Sequence, residues 1–168
     1  MIEPRRLFIG IAAAALLASP ALARDSLGVF GQWGAFRDPA AGRCYAIAIA
    51  DKAPPGERRE TAPFASVGTW PKRGVRGQIH LRLSRKAQAN APINLVVGNQ
   101  RFALTGAGSD AWAQGKAMDA AVTAAMRSAG TLSVSASDSG GRRFSDRYSL
   151  DGAATAMDAA TVGCARIR

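Results

Sequence analysis

The sequence is short of the residues from which most sites are built. Histidine occurs once, at His80, and cysteine twice, at Cys44 and Cys164; acidic residues number 12 against 22 basic ones. A single histidine with no Cys, Asp or Glu gathered around it at ligand spacing argues against a metal centre. The cysteines form no C-x-x-C, which removes the usual dithiol redox motif. The acids stand singly except for Glu57 and Glu60, so no carboxylate pair suggests general acid–base work. No cofactor is implied. After the first two dozen residues, no apolar run approaches the roughly 20 residues needed for a helical membrane span.

One apolar run is present. Met1–Arg6 carries two arginines, Leu7–Ala18 reads LFIGIAAAALLA, and SPALA follows with Ala21 and Ala23 in an A-x-A pattern. These are the three parts of a secretory signal peptide, and Pro20 ends the run well short of a span. Cleavage is expected after Ala23, leaving residues 24–168 as one β-rich domain that does not span the membrane. Losing Glu3, Arg5 and Arg6 takes the formal net charge from +10 to +9. Such a balance attracts polyanions and says nothing about fold. Lipopolysaccharide, anionic lipid and acidic glycan are the partners consistent with export, whereas nucleic acid is not expected. The alternative is a basic envelope protein with no specific anionic ligand.

Export also bears on the two cysteines. In an oxidising compartment a disulfide between Cys44 and Cys164 is favoured over two separate buried thiols. It would close a loop of about 120 residues. The segment Arg142–Cys164 would then tie the domain shut.

The pattern along the chain is mostly of period two. Asp25–Arg37 places Phe30, Trp33 and Phe36 three apart among glycines and reads as one irregular edge strand. Arg43–Ala50 is apolar at alternate positions of both sets, as in a strand buried on both faces. Asp51–Pro63 is a charged, proline-containing loop. Phe64–Trp70 is a strand stopped by Pro71, and Arg76–Arg85 alternates Ile79, Leu81 and Leu83 with His80, Arg82 and Ser84. Gly98-Asn99 between two β-rich runs signals a hairpin. Lys116–Ser128 has helical spacing, with Met118, Ala121, Val122, Ala125 and Met126 on one face. Thr131–Ser137 and Arg142–Leu150 form a second hairpin. Ala153–Cys164 is a helix with Ala153, Met157, Ala160 and Cys164 aligned. The sum is a mainly antiparallel β-sandwich or open barrel of about seven or eight strands, with two short helices in the C-terminal half.

Two candidate sites come from this layout. Gly106–Ala111 matches G-x-G-x-x-A, but it follows a hairpin strand with no βαβ unit around it, so it reads as a loop carrying on to Trp112. The arginines are more informative. Arg82 points from one strand, Arg143 and Arg147 from another, and Lys72, Arg73 and Arg76 lie by a turn. If these strands share a sheet, the side chains form a basic face able to hold phosphate or carboxylate groups. A catalytic role for His80 needs a serine and an acid brought to it by the fold.

Longer stretches carry a family resemblance. FGQWGAF…RCYAIA, then FASVGTWPKRGVRGQIHLRLS, then RFALTG…AW…AAM…D-x-YSLDG…A…C span nearly the whole domain. In order and spacing the chain resembles the invasion-associated locus B family of alphaproteobacterial envelope proteins. The resemblance implies an exported, mainly β protein with no established enzymatic activity; together with the export signal and the lack of a catalytic constellation, it points to a protein that binds a protein or envelope component. It also implies framework roles for Trp33, Cys44, Phe102, Trp112, Tyr148 and Gly152, with Trp70 joining the framework aromatics. Many members place another cysteine shortly after the early tryptophan, where this chain reads Gly34-Ala35-Phe36-Arg37. The departure removes a local partner for Cys44 and makes Cys164 the more attractive one.

Overall fold

Ten antiparallel strands form one open sheet in a computed structural model that describes residues 24–165; residues 1–23, expected to be a signal peptide, lie outside the described residues. The strands are β1 Asp25–Phe30, β2 Trp33–Asp38, β3 Arg43–Ile49, β4 Phe64–Trp70, β5 Val75–Arg82, β6 Ile93–Val97, β7 Gln100–Ala107, β8 Asp110–Trp112, β9 Thr131–Ser137 and β10 Arg143–Ser149. Helix α1 spans Lys116–Met126 and α2 spans Ala153–Cys164. In the sheet the order is β1-β2-β3-β4-β5-β8-β7-β6-β9-β10. The mainly β class and the two late helices agree with the sequence, and the Gly98-Asn99 turn joins β6 to β7 as expected.

Ten strands replace the expected seven or eight for two reasons. Asp25–Arg37 is a hairpin, not one strand, because Gly31-Gln32 turns the chain between Phe30 and Trp33. The turn resets the face on which each aromatic falls, which is why their spacing of three fits no single strand. Likewise the glycine-rich run after Thr105 is no loop. Gly108-Ser109 folds it into a tight turn, and Asp110–Trp112 returns as β8 to pair with both β7 and β5. The dinucleotide-like spacing therefore belongs to a hairpin.

The inner face of the sheet holds the core. One row runs Ala35, Ala46, Val67, Ile79 across β2 to β5. The side chains are small where α2 lies, and α2 answers with Ala153, Ala156, Met157 and Ala160, all buried. Alanine against alanine lets helix and sheet approach closely, and α2 packs on β1 to β4. Helix α1 covers β5 and reaches β6 and β7. Its inward face includes Asp119, not the exposed Ala121 expected there. Strand β8 pairs only with His80–Arg82 of β5, so the N–H of Ile79 has no strand partner; it donates to Asp119 Oδ1 at 2.9 Å. Burial pushes the Asp119 carboxyl up, and that bond opposes the push.

Polar ties curl the sheet so that β10 returns to its first half. Trp33 Nε1 donates to the Ser149 carbonyl at 2.9 Å, Asp51 N to the Arg147 carbonyl at 2.8 Å, and Ser84 N to Asp146 Oδ2 at 2.8 Å. A Cβ on Gly152 would overlap the Phe30 carbonyl, so the chain passes this closure only as glycine, at φ +81°. Cys44 and Cys164 are joined by a disulfide, with Cα atoms 5.5 Å apart. It clamps the last turn of α2 to β3.

Candidate functional site

The two halves of the outer face differ in chemistry. Along β6, β7, β9 and β10 it carries Asn94, Arg101, Ser133, Ser135, Ser137, Arg143, Ser145 and Arg147, the composition of an ordinary solvated sheet. Along β1 to β5 and β8 it carries Val29, Phe36, Tyr45, Ile47, Ile49, Phe64, Trp70, His80 and Trp112. No helix covers it. Ile49 is 79% exposed and Val29 74%. Arg43–Ala50 was expected to be buried on both faces; Cys44, Ala46 and Ala48 are buried inward, while on the outward side Tyr45 is buried under its neighbours, Ile47 is half-buried and Ile49 is exposed.

The aromatics are ordered by glycine and by one another. Gly34 and Gly68 leave room for the next outward residue to lie flat along the sheet. A Cβ on Gly34 would meet the Phe36 ring at 2.7 Å, and one on Gly68 would meet the Trp70 ring at 2.7 Å. Phe36 stacks on Tyr45 with centroids 5.6 Å apart. The Arg43 guanidinium lies 4.5 Å from the Tyr45 centroid and 5.9 Å from that of Trp70, within cation–π range.

A second cluster lies two strands away. Cross-strand register sets Ser66, His80 and Trp112 in one row and Phe64, Arg82 and Asp110 in the next. His80 stacks on Trp112 at 5.2 Å and takes the edge of Phe64 at 5.3 Å. His80 Nε2 and Asp110 Oδ1 are hydrogen-bonded at 2.8 Å. Arg82 Nε lies 2.9 Å from the same oxygen, an ion pair without hydrogen-bond alignment. The Ser66 hydroxyl donates to the carbonyl of His80 at 3.4 Å, not to its ring. A histidine, an acid and a serine are thus adjacent, but the serine is not activated by the imidazole, as a nucleophile would require.

The six basic residues singled out from the sequence do not converge. Arg82 is engaged with Asp110; β8, β7, β6 and β9 intervene before β10 in the sheet order, although the curl brings Asp146 of β10 back to Ser84, two residues beyond Arg82. Arg143 and Arg147 are exposed on β10, about 14 Å apart along the strand. Arg147 shares a row with Ser133, Val96 and Arg101, an arginine the sequence reading passed over. Lys72 and Arg73 lie in the 3-10 turn Pro71–Arg73 beside Trp70, and Arg76 opens onto the helix side of the sheet. Of the framework aromatics, Trp33 and Tyr148 are fully buried and Phe102 packs against the core, whereas Trp70 and Trp112 belong to the outer face.

Comparison with protein-family models, with curated proteins and with solved structures finds no match to this chain. Among the described residues no helix is long and apolar enough to cross a membrane.

Proposed function

We propose that this is an exported protein of the periplasm or cell envelope, similar to invasion-associated locus B proteins and without enzymatic activity, that binds a protein component of the envelope through the outer face of β1 to β5 and β8. The contrast between the two halves of that face carries the reading. Exposed Val29 and Ile49 beside half-buried aromatics and crossing arginines have the composition of a protein-binding patch, while the other half of the same sheet is serine-rich as solvent demands. The disulfide accords with an oxidising compartment, and the Ser66 hydroxyl turned away from the imidazole accords with binding rather than hydrolysis.

The test is capture from a periplasmic extract by the oxidised protein, compared with Ile49→Asp and Val29→Asp. Both side chains are exposed, so the variants should fold normally yet lose the partner by tenfold or more, as a change at the centre of an interface does. A partner retained equally by both variants would refute the assignment.

A second reading follows from the other half. Its outward rows hold Arg101, Arg143 and Arg147 and, among the described residues, no carboxylate. This favours binding of lipopolysaccharide, anionic lipid or acidic glycan there, without Arg82. Vesicle binding that fails to weaken between low and high salt, or survives the triple alanine variant of these three arginines, would eliminate it.

A further inference from the structure

On the opposite side of the sheet, α1 and α2 are joined through the Arg127–Asp158 ion pair. Between them lies a cleft of about 330 Å³ floored by β4 and β5, at the small end of the usual size for small-ligand sites. Its apolar surface comes from Val67, Met157, Ala160 and the disulfide sulfur of Cys164. The floor stays low because residue 77 is glycine, held at φ +64° with Thr123 opposite.

The charge is at the mouth. Arg127 lines the cleft but is committed: it holds Asp158 through two hydrogen bonds of 2.7 and 3.2 Å, and it caps the C-terminus of α1. Arg76 also lines it and is exposed, with no hydrogen bond or ion pair among the described residues. No lining side chain is a carboxylate. Lys72 and Arg73 follow directly on Pro71, another lining residue, and add positive field at the same end. An apolar trough with an uncommitted guanidinium at its mouth is complementary to one kind of molecule.

We infer that the cleft between α1 and α2 binds a small anionic amphiphile, its carboxylate or phosphate on Arg76 and its aliphatic body over Val67, Met157 and Ala160. A free fatty acid and a phosphorylated lipid fragment share this chemistry. The site is separate from the outer face, so both can be occupied together.

Calorimetric titration of the oxidised protein with octanoate, octyl phosphate, octanol and octyltrimethylammonium tests the inference. One or both anions should bind saturably at one site. Octanol should bind about tenfold more weakly or less, since it lacks the charge-assisted bonds, and the cation should not bind. The preference between the two anions tells carboxylate from phosphate. Arg76→Ala should reduce anion affinity about tenfold and leave octanol unchanged. Thr161→Trp, at an exposed position on the cleft wall, should block octanoate, octyl phosphate and octanol without lowering the unfolding temperature. Ile49→Asp should leave anion binding unchanged, which separates this site from the outer face. Equal binding of cation and anion, an unaffected Arg76→Ala, or no saturable binding of either anion would overturn it.

Discussion

Removing the disulfide perturbs the fold at one defined point. Cys44 is fully buried on β3 and Cys164 nearly so at the end of α2, with 120 residues of sequence between them. In the chain-entropy treatment, opening a loop that long at 25 °C releases about 4.9 kcal/mol of denatured-state entropy, a ceiling that measured disulfides seldom reach. The native side has its own ties. Trp33 to Ser149, Asp51 to Arg147 and Ser84 to Asp146 hold the same closure without covalent help. A Cys44→Ala/Cys164→Ala variant should therefore fold and keep its secondary structure, but lose about 2–5 kcal/mol. Urea unfolding followed by circular dichroism measures this, with the oxidised protein as reference. The m-value should rise in the variant, because an uncrosslinked chain exposes more surface on unfolding. A loss below about 1 kcal/mol with an unchanged m-value would mean that the denatured chain is already compact across this loop, and the entropic argument would fail.

Two buried carboxylates should respond to pH with opposite signs. Asp146 is 1% exposed, and burial pushes its carboxyl above 3.8 despite the hydrogen bond from Ser84 N and the Arg59 guanidinium 3.9 Å away. The folded state then holds the proton more tightly than the unfolded state, so its contribution is favourable below the unfolded pKa and is lost as pH rises through the folded one. Asp146→Asn should gain on wild type across that rise, as read from urea midpoints at pH 3.5 to 8. For Asp138, burial raises the pKa, but hydrogen bonds from Arg142 N, Arg85 and Gly140 N outweigh it and hold the carboxyl below the usual value. Its contribution is present above the unfolded pKa and is lost as pH falls through the folded one, so Asp138→Asn should be most destabilising near neutrality and least below pH 3. Gly68→Ala places a Cβ 2.7 Å from the Trp70 ring; it should cost about 1–3 kcal/mol as overpacking does and alter tryptophan emission, and an unchanged spectrum would show that the ring does not lie over Gly68.

Much of the inner face was legible from the sequence because one physical rule governs it. Residues that must leave water alternate along a strand or recur along a helix. Ile79, Leu81 and Leu83, the row Leu132, Val134 and Ala136, and the helix stripe Ala153, Met157, Ala160 and Cys164 all fall where that rule puts them. The rule breaks where a side chain is buried for its hydrogen bond. Asp119 and Asp146 sit inward because a backbone N–H of β5 or of the residues after it lacks a strand partner, and no periodicity announces that. It breaks again in the glycine-rich runs, where the tight turns Gly31-Gln32 and Gly108-Ser109 reset the alternation and leave β8 only three residues long.

The outer face was illegible for a different reason. Its members come from six strands, and each looks unexceptional within its own segment. Asp110 is an isolated acid, Phe64 starts a strand, and Ile49 completes an alternation that suggests burial. Only the register sets Ser66 beside His80, His80 beside Trp112, and Asp110 beside Arg82. The grouping of the arginines followed the same logic in reverse: Arg82, Arg143 and Arg147 do all point outward, but pointing outward fixes a face and not a neighbourhood. Register and curl decide the neighbourhood: Arg82 shares a row with Phe64 and Asp110, Arg147 shares one with Ser133, Val96 and Arg101, and Arg76 opens onto the helix side. The same topology bears on the binding proposed for the outer face and for the cleft. Helices, disulfide and the ties to β10 all use the inner side to hold the sheet curled. That leaves the outer side of β1 to β5 and β8 free, and at the gap between α1 and α2 it leaves Arg76 exposed at the edge of a cleft whose apolar walls belong to the core.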